Sequence, residues 1–181
     1  MKNFFALIWE ITKIVIIALA IVVPIRYFLF QPFFVKGQSM EPNFENGDYL
    51  IVDEISYRFR DPQRGEVVVL KYPQNLSQRY IKRIIGLPGE LLEIKDGKVM
   101  VFNKKGEQIL NESNYLSPNL QTFGDIQVKL GDNEYFVLGD NRPASSDSRR
   151  WGTLPREDII GRVFLRAWPV AALAKFETPT Y

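Results

Sequence analysis

A serine in Gly37-Gln38-Ser39-Met40-Glu41-Pro42 and a lysine in Tyr80-Ile81-Lys82-Arg83 stand in a chain of 181 residues that has no histidine and no cysteine. A hydroxyl nucleophile here must find a base other than imidazole, and thiolate chemistry is closed. A serine whose proton passes to a neutral lysine is one of the few options left. A lysine of ordinary pKa, about 10.4, serves as a base near neutral pH only if burial lowers that value by ~3 units or more. Strand alternation places Tyr80, Lys82 and Ile84 on one face and Ile81, Arg83 and Ile85 on the other, so whichever face turns inward draws one cation into apolar surroundings. Each residue alone also has a plainer reading: Ser39 as a turn serine bonding its own backbone, Lys82 as an exposed edge-strand lysine that discourages aggregation.

A third segment, Gly139-Asp140-Asn141-Arg142-Pro143-Ala144-Ser145-Ser146-Asp147-Ser148-Arg149-Arg150-Trp151-Gly152, gathers acids, cations, small hydroxyls and glycines into one short stretch. That composition suits a loop held by internal hydrogen bonds and ion pairs. It suits a solvated polar loop equally.

Three such segments need a scaffold. Residues 14–25 are uninterrupted and apolar, and from Phe4 to Phe30 only Glu10, Lys13 and Arg26 are charged. A bilayer core takes about 20 residues of helix, so residues 1–31 read as a membrane anchor with one transmembrane helix over about 7–30. Ala18-Leu19-Ala20 has the small-x-small form of a cleavage site, but Ile21 to Ile25 stay apolar where a cleaved leader would turn polar. Residues 32–181 form the remaining domain. Asp48 to Val52, Glu66 to Tyr72, Tyr80 to Ile85, Val99 to Phe102, Ile126 to Leu130, Tyr135 to Leu138 and Arg162 to Trp168 read as strands. Val67 to Leu70 look buried on both faces, Asp96-Gly97 suits a two-residue hairpin, and residues 103–125 read as a variable, aperiodic excursion. The expected fold is mainly β: a compact antiparallel, barrel-like or sandwich-like catalytic domain with one N-terminal transmembrane helix.

Composition narrows the partners. The net charge is +2 and the charges of the first thirty residues already account for it, so residues 31–181 sum to zero. A nucleic-acid binder carries a basic excess on its folded part, so no nucleic acid is expected. A zinc site without cysteine or histidine is not expected either, and the serine-lysine chemistry calls for no metal and no cofactor.

Ser39-Met40-Glu41-Pro42, Gly47-Asp48-Tyr49-Leu50-Ile51-Val52, Tyr80 through Glu90, and Gly139-Asp140-Asn141-Arg142 through Ser145-x-Asp147-Ser148-Arg149 resemble, in order, the sequence boxes of bacterial type I signal peptidases, the serine-lysine peptidase family S26. With the anchor, the resemblance covers roughly residues 10–168. It implies that Ser39 is the nucleophile and Lys82 the general base, that Ser145 orients the lysine, and that Gly139 allows close backbone approach to it. It also implies structural ion pairs between Asp140 and Arg83 and between Asp147 and Arg149, with Met40 and Pro42 shaping the nucleophile turn. The implied activity is a membrane-anchored serine endopeptidase that removes N-terminal signal peptides from exported preproteins through an acyl-enzyme. Its partners are then signal-peptide-bearing preproteins and membrane lipid, and its place is the bacterial cytoplasmic (inner) membrane, single-pass, with the catalytic domain on the outer side. Gly37 departs from the Gram-negative pattern, which has a serine hydroxyl two positions before the nucleophile. Two rivals share parts of this reading. A self-cleaving repressor of the SOS type needs a DNA-binding module where this chain has an apolar helix, and an inactive membrane-anchored β module binding preproteins or assembly factors needs neither Ser39 nor Lys82.

Overall fold

A computed structural model describes residues 2–28, 30–117, 120–176, 178–179 and 181. It opens on α1 (Lys2–Phe28), 27 residues or about 40 Å at the rise of an α-helix. From Phe4 to Val23 the side chains are exposed, and this stretch of 20 residues is long and apolar enough to cross a membrane. Glu10 and Lys13 pair at 2.7 Å, which lowers the cost of carrying either charge into lipid. The helix starts earlier and stops sooner than expected. Leu29 lies outside the described residues and Phe30 is already in a strand, since Gln31 precedes a proline and that position disfavours helical backbone.

The strands are β1 (Phe30–Phe34), β2 (Tyr49–Asp53), β3 (Val67–Tyr72), β4 (Asn75–Gly86), β5 (Leu91–Lys95), β6 (Lys98–Asn103), β7 (Gly106–Ile109), β8 (Ile126–Lys129), β9 (Glu134–Leu138), β10 (Leu154–Pro155), β11 (Ile159–Trp168) and β12 (Ala174–Lys175), with a single-turn α2 (Ser148–Trp151) between β9 and β10. They form an eight-stranded sheet in the order β1-β2-β11-β3-β4-β9-β10, with β12 beside β11, and a four-stranded sheet in the order β7-β6-β5-β8. Among the described residues the pairings are antiparallel and neither sheet closes on itself, so the domain is sandwich-like rather than a barrel. Pro32 sits in β1 at the sheet's edge, where its missing N–H costs no ladder bond.

β3 explains the site's burial. Val67 and Val69 pack into one cluster with Val35, Met40, Phe44 and Leu50, while Val68 and Leu70 pack into another with Tyr57, Ile84, Tyr135 and Val137. Each such fully buried aliphatic side chain contributes about 1.5–3 kcal/mol. β4 lies beside β3, with Val68 opposite Lys82 and Val67 opposite Arg83, and so inherits cover on both faces. The sequence reading buried one cation of the pair. The structure buries both, with Lys82 3% and Arg83 6% exposed.

Beyond Arg83, β4 pairs with β9, and its Ile85 packs against the second sheet in a core with Leu92, Ile94, Val99, Val101 and Phe136. Asp96 (φ 50°) and Gly97 (φ 76°) make the tight β5–β6 hairpin that an Asp-Gly pair favours. The segment 103–125 departs from the expected aperiodic excursion. It contains β7, and Leu110, Tyr115, Leu116 and Thr122 are buried. Pro118 and Asn119 within it lie outside the described residues.

Candidate active site

The loop between β1 and β2 is closed at its base by Val35 N–H donating to Asp48 O and Gly47 N–H donating to Val35 O, both at 2.9 Å. Met40 and Phe44 root it in the core, 1% and 0% exposed. From β11, Arg166 donates to the Asn43 carbonyl at 3.0 Å and to the Asp48 carboxylate at 2.9 Å. These fastenings leave Ser39 half-buried in the turn, with Pro42 exposed two residues beyond Met40. Gly37 takes a positive φ of 90°, which a side chain would strain, and its N–H is engaged by Asn46 Oδ1 at 3.0 Å.

Lys82 reaches Ser39 across the sheet. Its Nζ lies 2.7 Å from Ser39 Oγ and 2.8 Å from the carbonyl of Ile81. That geometry lets a neutral amine accept the serine proton while one of its own N–H groups is held by the backbone. Burial pushes the Lys82 amine down to about 8, and the carboxylates of Asp147 and Asp140 keep it from falling further. The drop is smaller than the sequence reading asked for, and those two anions are the reason. Roughly a tenth of the amines are then neutral at pH 7.

The two anions are themselves pinned. Arg83 clasps Asp140 with Nε at 2.8 Å and Nη2 at 2.6 Å, a bidentate pair. Asn43 Nδ2 donates to the same carboxylate at 2.9 Å, and the Asp140 N–H points at Met40 Sδ at 3.4 Å. Arg149 pairs with Asp147 through two contacts of 2.8 Å, and the Gly139 N–H donates to Asp147 at 3.1 Å. Burial works against the Asp147 charge, but Arg149, the Gly139 amide and the nearby Ser145 hydroxyl together hold its pKa below the usual range. Asn141 ties this loop to the turn that carries Ser39, its N–H donating to Ser39 O and its Nδ2 to Gln38 O, both at 3.0 Å.

Gly139 is required by contact rather than by φ. A Cβ there would lie 2.2 Å from Ser145 Oγ and 2.4 Å from the Ser39 carbonyl. The nearest groups it admits are the backbone of Ser39 and the side chain of Ser145. Ser145 is 3% exposed, and the amine's two hydrogen bonds go elsewhere, to Ser39 and Ile81.

Asn43, Asn141, Arg142, Glu112, Tyr115 and the Ile81 carbonyl escaped the sequence reading. Asn141 and Arg142 sat inside the polar segment it singled out, but a side chain that serves one specific partner carries no periodic signal. The Ile81 carbonyl has no side-chain signature at all.

Ser39 and Lys82 open onto a cleft of about 440 Å³ lined by Phe33, Val35, Leu50, Val69, Ile81 and Ala144 among others. β4 gains its second neighbour, β9, only from Arg83 onward. Among the described residues, the stretch from Asn75 to Lys82 has strand β3 on one side and an open edge on the other. An open edge beside an apolar cleft can accept an extended peptide as an added strand. A smaller cavity of about 170 Å³ lies behind Arg83 and Tyr115.

Residues 8–168 match the family described as signal peptidase, peptidase S26. The chain is 41% identical over 166 residues to the probable signal peptidase I-2 of Synechocystis sp., a match covering 89% of this chain and 73% of that one. It is 37% identical over 175 residues to the signal peptidase I of Leptolyngbya laminosa, covering 92% and 83%. A solved signal peptidase I from Enterococcus faecalis V583 is 32% identical, with a TM-score of 0.47, covering 57% of this chain and 97% of that one.

Proposed function

The chain belongs to the signal peptidase family, peptidase S26, and from that premise we propose that it cleaves exported preproteins with Ser39 as nucleophile and Lys82 as general base. The enzyme is a hydrolase of the signal peptidase I type, and its family is membrane-anchored. The single observation that carries the residue assignment is the 2.7 Å contact between a half-exposed serine hydroxyl and a buried lysine amine on the wall of an apolar cleft.

Neutral Lys82 takes the Ser39 proton as Oγ attacks the scissile carbonyl carbon. The tetrahedral oxyanion collapses, the lysine ammonium protonates the departing amine, and the signal peptide remains as an ester on Ser39. Lys82, neutral again, takes a proton from water as the water oxygen attacks the ester carbon; the ammonium then returns that proton to Ser39 Oγ as the acyl–oxygen bond breaks and the signal peptide leaves with a free carboxyl terminus. The Ser39 N–H is the first oxyanion donor, and one such donor is commonly worth about 3–4 kcal/mol. Gly37 brings no side chain, and its amide is spent on Asn46, so the second donor is water or another backbone group.

The preprotein's cleavage region lies extended along the open edge of β4, with small side chains entering the apolar cleft and large ones excluded by clash. α1 spans the bacterial cytoplasmic membrane and holds the catalytic domain on its outer side, so enzyme and preprotein share one bilayer and meet at high effective concentration. Detergent-solubilised wild type is expected to cut a preprotein at its signal-peptide junction, while Ser39→Ala and Lys82→Ala each fall by 10⁴-fold or more, on the order of the loss of a catalytic nucleophile or base. Cleavage that survives Lys82→Ala sinks the base assignment. Inactivity of all three proteins favours a binding module instead.

A further inference from the structure

The turn at 112–116 reaches both arginines that brace the active site. Tyr115 lies over the Arg83 guanidinium, 4.0 Å from its carbon to the ring centre, and its carbonyl accepts from Asn43 Nδ2 at 2.7 Å. Glu112 receives both terminal nitrogens of Arg142, with Nη1 at 2.9 Å from Oε2 and Nη2 at 2.5 Å from Oε1, and the Tyr115 hydroxyl donates to Glu112 at 2.5 Å. Arg142 is 1% exposed. Its Nε holds the Gly139 carbonyl at 3.0 Å and its own carbonyl accepts from Arg149 at 2.6 Å.

Two chains of contact therefore run from this turn to the reacting pair. One passes from Tyr115 through Arg83 and Asp140 to Asn43 and Met40, beside Ser39. The other passes from Glu112 through Arg142 to Gly139, Arg149 and Asp147, facing Lys82. Three guanidinium groups, those of Arg83, Arg142 and Arg149, are matched by three carboxylates, those of Asp140, Asp147 and Glu112, and Glu112 is the one that comes from outside the catalytic loop. Deleting it leaves buried Arg142 with the Thr122 hydroxyl and the Gly139 carbonyl but no carboxylate, which is far costlier than losing an exposed pair.

We propose that Glu112 and Tyr115 are positioning residues for the Ser39–Lys82 pair, holding the catalytic loop and the nucleophile turn in register from behind. The inference rests on the function proposed above. Neither residue lines the cleft at Ser39, so their loss acts on turnover and leaves substrate binding alone.

The test is preprotein cleavage by the full chain in detergent, with kcat scaled to the folded fraction. Glu112→Gln is expected to lower kcat about tenfold with KM within twofold of wild type. Arg142→Gln falls by a similar factor, and the Glu112→Gln/Arg142→Gln double variant falls no further than the worse single, because the two act as one unit. Tyr115→Leu loses about tenfold in kcat, whereas Tyr115→Phe, which keeps the ring over Arg83, stays within threefold. Unchanged kcat in Glu112→Gln, a rise in KM alone, or a double variant at the product of the single losses overturns the proposal. Should Glu112→Gln fail to fold, equal activity in Tyr115→Leu and Tyr115→Phe does the same. Wild type that does not cut, or Ser39→Ala that does, brings down the parent reading and this one with it. Wild type that cuts no faster than Glu112→Gln brings down this one alone.

Discussion

Lys82 and Arg83 are neighbours on β4, face opposite sides of the sheet and are both nearly sealed from water, yet they meet the cost of a buried charge in opposite ways. Arg83 keeps its charge, and a bidentate carboxylate neutralises it. Among the described residues Lys82 has no carboxylate within hydrogen-bonding reach, only a hydroxyl and a carbonyl, so burial works on the amine itself and draws it toward neutrality. The same depth gives a permanent cation on one face and a titratable base on the other. What decides is whether a carboxylate stands in contact or a few ångströms off. An arginine could not take the lysine's place, since guanidinium does not give up its proton in a protein.

Removing Arg83's partner breaks the comparison most severely. Asp140→Asn leaves a buried guanidinium half-satisfied, and a loss of about 3–5 kcal/mol is expected, read as a fall in melting temperature. An unchanged melting temperature means that Arg83 finds water or another acceptor and is not locked as described.

Removing the lysine should act in the other direction. Its folded pKa of about 8 lies below the ordinary lysine value of 10.5, so the unfolded chain binds more protons between those two values and stability climbs with pH through that window. Below pH 8 the full penalty stands, roughly 3 kcal/mol for a gap of this size. Lys82→Met escapes it and should be more stable than wild type by about 2 kcal/mol at pH 6.5, after allowance for two lost hydrogen bonds. The difference should shrink to nothing by about pH 10. A gap that widens with pH reverses the assignment of the charged form as the costly one.

The smallest effect is also the most direct. Cleavage should rise about tenfold per pH unit below about 8 and level off above it, as the neutral amine becomes the majority form. Asp140 or Asp147 made neutral should move that midpoint to lower pH, because each holds the amine's pKa up. A midpoint that moves upward in Asp147→Asn rules out the electrostatic account of Lys82.

Strand alternation read from the sequence separated Lys82 from Arg83 correctly but could say only which face each occupies. Whether both faces are covered depends on the loop of Met40 and Phe44 packing on one side and on Tyr57, Tyr135 and Leu154 on the other, and these come from distant parts of the chain. β4 also runs five residues further back than its apolar core suggested, since Asn75 to Arg79 are exposed and pair through backbone alone. Leu91 to Lys95 carries little strand signal beyond its legible hairpin turn, because only Ile94 of its five residues is β-branched or aromatic. In the segment from 103 to 125, polar residues are buried by pairing with Arg142 and Arg83, a kind of burial that hydrophobic pattern does not register. The ordered boxes around Ser39, Lys82 and Asp140 were legible because close contact demands fixed residue types at fixed places. Gly139 illustrates this best, with no room for a methyl group.

The helix α1 stops at Phe28 and β1 starts at Phe30, with Ser39 only five residues past the end of β1. With α1 in a bilayer, so short a tether works as a depth gauge. Under the proposed function the Ser39 hydroxyl rides at one set height above the headgroups, and a preprotein is cut where its own chain emerges to that height.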